Sequence, residues 1–307
     1  VLAAAGPFDY EPSDEVNMNK QLRGTTARLV ASCEDKPGIV SAVSRFLFER
    51  GANIIHSDQH SSDPEGGRFF LRQEFYLHGL ERTMGEIAAA FQSLVADRFN
   101  MHWRLSPAWV KKKAAILVSK YDHALMDLLW RAQRGELAMD VTMVLSNHPD
   151  LGDQVRSFGV PFFHVPVDKD NKAAAERKML ELMQGNTDLV LLARYMQVLS
   201  GDFVKHYPSR IINIHHSFLP AFVGADPYRR ALDKGVKLIG ATAHYVTADL
   251  DQGPIIEQDV IRVSHRQDLD DLKTLGADIE RQVLCRAVKW HLEDRILVDG
   301  NKTIVMI

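Results

Sequence analysis

Asn213 and His215 stand two residues apart at the end of a short apolar run, Ile211-Ile-Asn-Ile-His215. Asp251 follows in a polar loop, Ala248-Asp-Leu-Asp-Gln-Gly253. On a strand, side chains at i and i+2 face the same side, so Asn213 and His215 can aim at one ligand atom while Ile214 faces the core. An amide and an imidazole steady an oxygen as it becomes negative, and a carboxylate manages the proton. That trio suits attack on a formyl carbonyl. Each residue alone has a plainer reading: His215 as a hydrogen-bonded structural histidine, Asp251 as a turn former ahead of Gly253. Their combination favours chemistry. His215 and His216 are adjacent and point to opposite faces of a strand, a poor arrangement for metal ligation, so no metal is expected. His216 is expected to support the loop.

The elements that must hold these residues fall into two groups. From residue 114 onward, short apolar runs alternate with helical patterns. Strands are expected at 114–119, 141–146, 161–165, 189–193, 211–214, 238–246 and 255–263, with helices at 124–132, 173–183, 201–206 and 268–293. The long last helix places Leu272, Leu275, Ile279, Val283 and Ala287 inward, and a hairpin around Asp299-Gly-Asn301 closes the chain. This is a doubly wound, mostly parallel α/β sheet. In such sheets ligands sit beyond the carboxyl ends of the strands, here those beginning near Leu189, Ile211 and Leu238. No G-x-G-x-x-G or G-x-x-x-x-G-K-[ST] is present, so no dinucleotide or nucleoside triphosphate cofactor is expected.

Residues 25–105 read as a ferredoxin-like βαββαβ unit. Strands are expected at 28–33, 53–61, 69–77 and 102–105. One helix opens at Pro37-Gly38, with Asp35 as its N-cap, Ile39, Val43, Phe46 and Leu47 on one face, and Gly51 at its end. The other spans 84–97 with Ile87, Phe91 and Leu94 on one stripe. Residues 106–113, with Lys111, Lys112 and Lys113, read as a solvated linker, and 1–24 as a floppy leader or an appended remnant without the features of a signal peptide. The 307 residues fit about two domains. A net charge of −3 offers no reason to bind nucleic acid, and no apolar run approaches the length of a spanning helix. Cys33 and Cys285 read as free thiols of a reducing, cytoplasmic compartment.

Two resemblances follow. The βαββαβ order with Asp35-Lys-Pro-Gly-Ile39 resembles the ACT regulatory domain, which implies that Asp35, Pro37, Gly38 and Ile39 help bind a small amino acid, glycine or methionine, often where subunits pair into a homo-oligomer. Asn213, His215, Ser217, Leu219-Pro220, Gly240, His244 and Asp251-Gln-Gly253 together resemble the glycinamide ribonucleotide formyltransferase-like fold, including the separation of Asn213 from Asp251. That resemblance implies Asn213, His215 and Asp251 as the catalytic trio, with 10-formyltetrahydrofolate as substrate. It places Met196, Gln197, Leu199 and Asp249 on the pterin, and His244 beside His216 in support. Val198 reads as core.

Members of that fold that use a phosphorylated amine carry a glycine-rich loop after the first strand. Here residues 119–125 contain no glycine, and Tyr121 and Asp122 would crowd or repel a phosphate. His216, the stretch 222–228 (with Asp226 where Asn is expected) and the tail from His291 resemble the formyltetrahydrofolate deformylase family. The implied reaction is hydrolysis to tetrahydrofolate and formate, supplying one-carbon and purine metabolism. The alternative is formyl transfer to an unphosphorylated amine. A formyl-methionyl-tRNA role lacks a basic RNA-binding tail, and a non-catalytic sensor would not need the intact trio.

Overall fold

The computed structural model describes residues 24–220 and 227–307. Apart from Gly24, the expected leader lies outside them, as does Asp226. The chain divides into two compact units, one through Val110 and the other Lys111–Ile307.

In the first unit β1 (Thr26–Glu34), α1 (Ile39–Phe48), β2 (Asn53–Ser61), β3 (Arg68–Tyr76), α2 (Leu80–Phe91) and β4 (His102–Pro107) follow in order. The strands form one antiparallel sheet, β2-β3-β1-β4. Apolar residues of one face of β1 and β3, such as Leu29, Ala31, Leu71 and Phe75, pack against Val43, Phe46, Ile87 and Phe91 of the helices. Phe91 is the centre, with edge contacts to Phe46 at 5.2 Å and Trp103 at 4.7 Å.

Three expectations change here. Helix α2 starts earlier than its apolar pattern suggests and runs into a π-helical turn, Gln92–Ala96, before a last turn at Asp97–Phe99. The wider π turn rotates the register, so Val95 is buried and Leu94 points to solvent, 61 % exposed. Asp35 does not cap α1. The N-cap is Gly38, in the left-handed region at φ +93° without a side-chain cap. Asp35 instead accepts a hydrogen bond from Ser61 Oγ, which ties the loop to β2.

The second unit contains β5 (Lys112–Val118), α3 (His123–Gln133), β6 (Met139–Ser146), α4 (Gly152–Ser157), β7 (Phe162–His164), α5 (Lys172–Met183), β8 (Leu189–Leu192), α6 (Gly201–Lys205), β9 (Ile211–His215), α7 (Pro227–Lys234), β10 (Leu238–Tyr245), β11 (Ile255–Arg262), α8 (Leu269–Leu292) and the hairpin β12 (Ile296–Asp299) and β13 (Lys302–Val305). Seven strands form one sheet, β11-β10-β9-β8-β5-β6-β7, parallel except where β10 pairs with β9 and β11. Both faces are covered. Along β5, Ala114, Ile116 and Val118 enter the core layer that holds α3 and α8, while Ala115 and Leu117 enter the layer that holds α5 and α6. The order turns at β5, with β8 on one side and β6 on the other, which makes the crevice beyond their carboxyl ends a natural binding place.

The lysine stretch also differs from its expectation. Lys112 opens β5, and its ammonium donates to the His291 carbonyl at 2.7 Å and to Asp294 at 2.8 Å. It thereby satisfies the carboxyl end of α8 rather than solvating a linker. At the other end of α8 Asp268 and Asp271 form a reciprocal capping box.

Candidate active site

Strand pairing brings the polar residues together. In the antiparallel β9–β10 pair His244 lies opposite Asn213, and Thr242 opposite His215. Opposite residues share a face, so one side of this pair carries all four, while Ile214 packs into the core beneath. His244 Nδ1 lies 3.0 Å from the Tyr245 carbonyl, which only accepts, so Nδ1 carries the proton. The Asn213 amide then donates to His244 Nε2 at 3.1 Å. That bond fixes the amide plane and leaves the second Asn213 N–H for a ligand.

Asp251 comes from the loop between β10 and β11. One carboxylate oxygen lies 3.3 Å from His215 Nδ1 and the other 3.6 Å from His244 Nε2. The bond to His215 holds this carboxyl well below the usual carboxylate range, against burial, which acts the other way. Asp251 sits in the left-handed region at φ +55°. Two residues on, a Cβ at Gly253 would overlap the Tyr245 carbonyl oxygen, so the Asp-Gln-Gly turn closes only with glycine there. His215 Nε2 is buried and has no hydrogen-bond partner. An orphaned polar atom of this kind, on a ring already held at its other nitrogen, marks a place for a ligand oxygen.

These residues line a cavity of about 370 Å³. Its walls are Leu192 and residues 194–199 after β8, residues 213–216 at the end of β9, and His244, Val246–Ala248, Leu250 and Asp251. Met196, Gln197 and Leu199 therefore line the cavity. Two expectations change. Asp249 is not in the wall; its carbonyl accepts from Thr247 Oγ1 and from the Gln252 amide, which shapes the turn. Val198 is not core but 52 % exposed, and it lines the cavity beside Met196, exposed to the same degree. His216 makes tilted ring contacts with His215 at 5.3 Å and Tyr228 at 6.0 Å. Burial, reinforced by the charge of Arg194, lowers its pKa to about 4.

A second cluster was not singled out from the sequence. Glu280 of α8 is 1 % exposed and bonds to His123 Nε2 at 2.8 Å and the Tyr228 hydroxyl at 2.7 Å. Arg194 Nε approaches it to 3.5 Å, and the Arg194 guanidinium lies 4.9 Å from the Tyr121 ring centre. Burial works to raise the Glu280 carboxyl, yet His123 and Arg194 together bring it below its ordinary value. The available signal was a glutamate among Ile279, Val283 and Leu284, all on the inner side of α8.

In the first unit, Lys36, Pro37 and Gly38 are exposed. Ile39 is 2 % exposed and belongs to the core, so its side chain does not face a surface ligand.

The sequence matches the formyl transferase family over residues 112–288 and the ACT domain over 27–75, which makes the second unit a formyl-transfer type of domain. The formyltetrahydrofolate deformylase of Mycobacterium bovis is 57 % identical over 278 residues, covering 91 % of this chain and 90 % of the relative. The crystal structure of a formyltetrahydrofolate deformylase from Pseudomonas syringae superposes with a TM-score of 0.90 at 43 % identity, covering 96 % of this chain and 99 % of that one. The glycinamide ribonucleotide transformylase 1 of Symbiobacterium toebii shares the fold at a TM-score of 0.61 and 31 % identity, covering 64 % of this chain and 95 % of that one. The chain belongs to the formyltetrahydrofolate deformylase family.

Proposed function

We propose that the protein hydrolyses 10-formyltetrahydrofolate to tetrahydrofolate and formate. The observation that carries the reading is the His215–Asp251 contact at 3.3 Å, with His215 Nε2 buried and unpartnered in a cavity that Asn213 also lines. In its protonated form His215 donates from Nε2 to the formyl oxygen, and Asn213 donates its free N–H to the same atom. Together they stabilise the oxyanion of the tetrahedral intermediate. Asp251, ionised at neutral pH, orients the attacking water and accepts its proton. Collapse of the intermediate breaks the bond to N10, which takes up the proton Asp251 accepted from water, and formate leaves.

The apolar stretch Met196, Val198 and Leu199 suits a flat ring, with main-chain groups and Gln197 reading its edge. His216 and His244 keep the trio aligned. The reaction as written needs no cofactor or metal. Residues 114–307 carry this chemistry and 25–105 regulate it, through a small amino acid held near Asp35, Pro37 and Gly38, in a homo-oligomer. Both cysteines are free and no described helix is long and apolar enough to cross a membrane, in keeping with a cytoplasmic enzyme. The test is formate release from 10-formyltetrahydrofolate with no other substrate. Formate appearing in step with tetrahydrofolate supports hydrolysis. Turnover only on addition of an amine would replace it with a transferase.

A further inference from the structure

The fold is shared by proteins whose names state different reactions, a deformylase and a glycinamide ribonucleotide transformylase, so the choice of acceptor has to be made locally. The wall of this cavity carries exposed apolar side chains at Met196, Val198 and Leu250, and near His215 it is backed by a buried charged cluster. The contacts run from His215 to His216, from His216 to Tyr228, and from Tyr228 to Glu280, which also meets Arg194 and His123. Arg194 itself forms part of the cavity wall.

Stability does not account for the cluster. Burying an ion pair often costs as much as it returns, and apolar residues of similar size commonly serve as well. Here the pairing is incomplete. Arg194 is 7 % exposed, its Nε lies 3.5 Å from a Glu280 carboxylate oxygen without a hydrogen bond, and its Nη1 is likewise buried with no hydrogen-bond partner. Its backbone also occupies the left-handed region at φ +63°, where a glycine would sit without strain. Gly276 is committed to the same arrangement, since a Cβ there would overlap the Tyr228 hydroxyl.

We propose that Arg194, anchored by Glu280 and covered by Tyr121, plugs the acceptor side of the cavity and so confines the acceptor to water, excluding amines. The inference rests on the hydrolytic reading above. With an amine acceptor, the bond from the formyl carbon to N10 would break and a bond to the amine nitrogen would form. The amine would lose the proton that N10 gains. The chemistry is equally balanced for either nucleophile, so access decides which one reacts.

The test gives the full-length protein 10-formyltetrahydrofolate with glycinamide, a primary amine without phosphate, and quantifies formate and N-formylglycinamide. The wild type is expected to make formate alone. Arg194→Gly removes the side chain and suits the backbone, and it is expected to raise the ratio of N-formylglycinamide to formate at least tenfold. Tyr121→Ala, at a position 53 % exposed, is expected to raise it less and serves as the deciding variant should Arg194→Gly not fold. A structural role alone would lower stability or total turnover without moving this ratio. An unchanged ratio in folded variants that still release formate overturns the plug and leaves hydrolysis standing, as does a wild type that formylates glycinamide as readily as water. A wild type that releases no formate overturns the hydrolytic reading itself, and the plug with it.

Discussion

Two loops of this protein leave the carboxyl end of a strand carrying an aspartate close to a left-handed residue, and they are built in opposite ways. In the loop after β10, Asp251 is mostly covered and sits between two imidazoles, and Gly253 is pressed against the Tyr245 carbonyl. In the loop after β1, Asp35 is tied to Ser61, while Gly38 has open space where a Cβ would be. The first is a preorganised site, with donors and carboxylate fixed before any ligand arrives. The second is a shaped surface turn whose partner would have to supply much of its own order. The proposed catalytic role needs the former geometry; the proposed regulatory role tolerates the latter.

Apart from loss of Asp251 itself, the largest effect that sharpens this contrast is Asn213→Ala. Removing one oxyanion donor lowers the rate by about 10²–10³-fold, and folding should be unaffected, as circular dichroism and steady-state kinetics would show. A fall of less than tenfold would mean that the amide only supports His244. Gly253→Ala comes next. A displacement of Asp251 by about 1 Å should cost about 10²-fold in turnover, and equal activity would show that the loop adapts.

A third test concerns pH. The neutral form of His216 is the one the fold favours, with a pKa near 4 in place of 6.5. Its contribution to stability is therefore complete above pH 6.5 and is lost as the pH falls toward 4. Melting temperatures of wild type and His216→Gln, followed from pH 7 to pH 4.5, should show the variant losing less on acidification. Parallel curves would mean that His216 takes up its proton in the fold as readily as in the unfolded chain. The smallest effect is expected in the other loop. Gly38→Val, strained at φ +93°, should abolish the binding heat of glycine or methionine in calorimetry while leaving hydrolysis intact. Equal heats for both proteins would remove that loop from effector binding.

Much of this was legible along the chain. The two-residue spacing of Asn213 and His215 survives folding because strand alternation is local, and Ile214 packs beneath them as that alternation requires. Strands such as β5 and β8 are continuous apolar runs because helices cover both faces. Leu94 was misplaced because a π turn breaks the 3.6-residue period that its neighbours obey. Asp35 satisfies the composition of an N-cap, but Ser61, distant in sequence, competes for its carboxylate. Arg194 and Glu280 were invisible as a pair for the same reason. His123, Arg194, Tyr228 and Glu280 meet only after α3, β8, α7 and α8 have assembled, and no local pattern records that meeting.

The central claim is that Asp251 handles the proton at a formyl group held by Asn213 and His215. It is tested most directly by single-turnover formate release from 10-formyltetrahydrofolate, comparing wild type with Asp251→Asn at equal folate saturation. A loss of about 10²–10³-fold or more, with folate still bound, is the predicted result. Near wild-type release by the folded variant would contradict it.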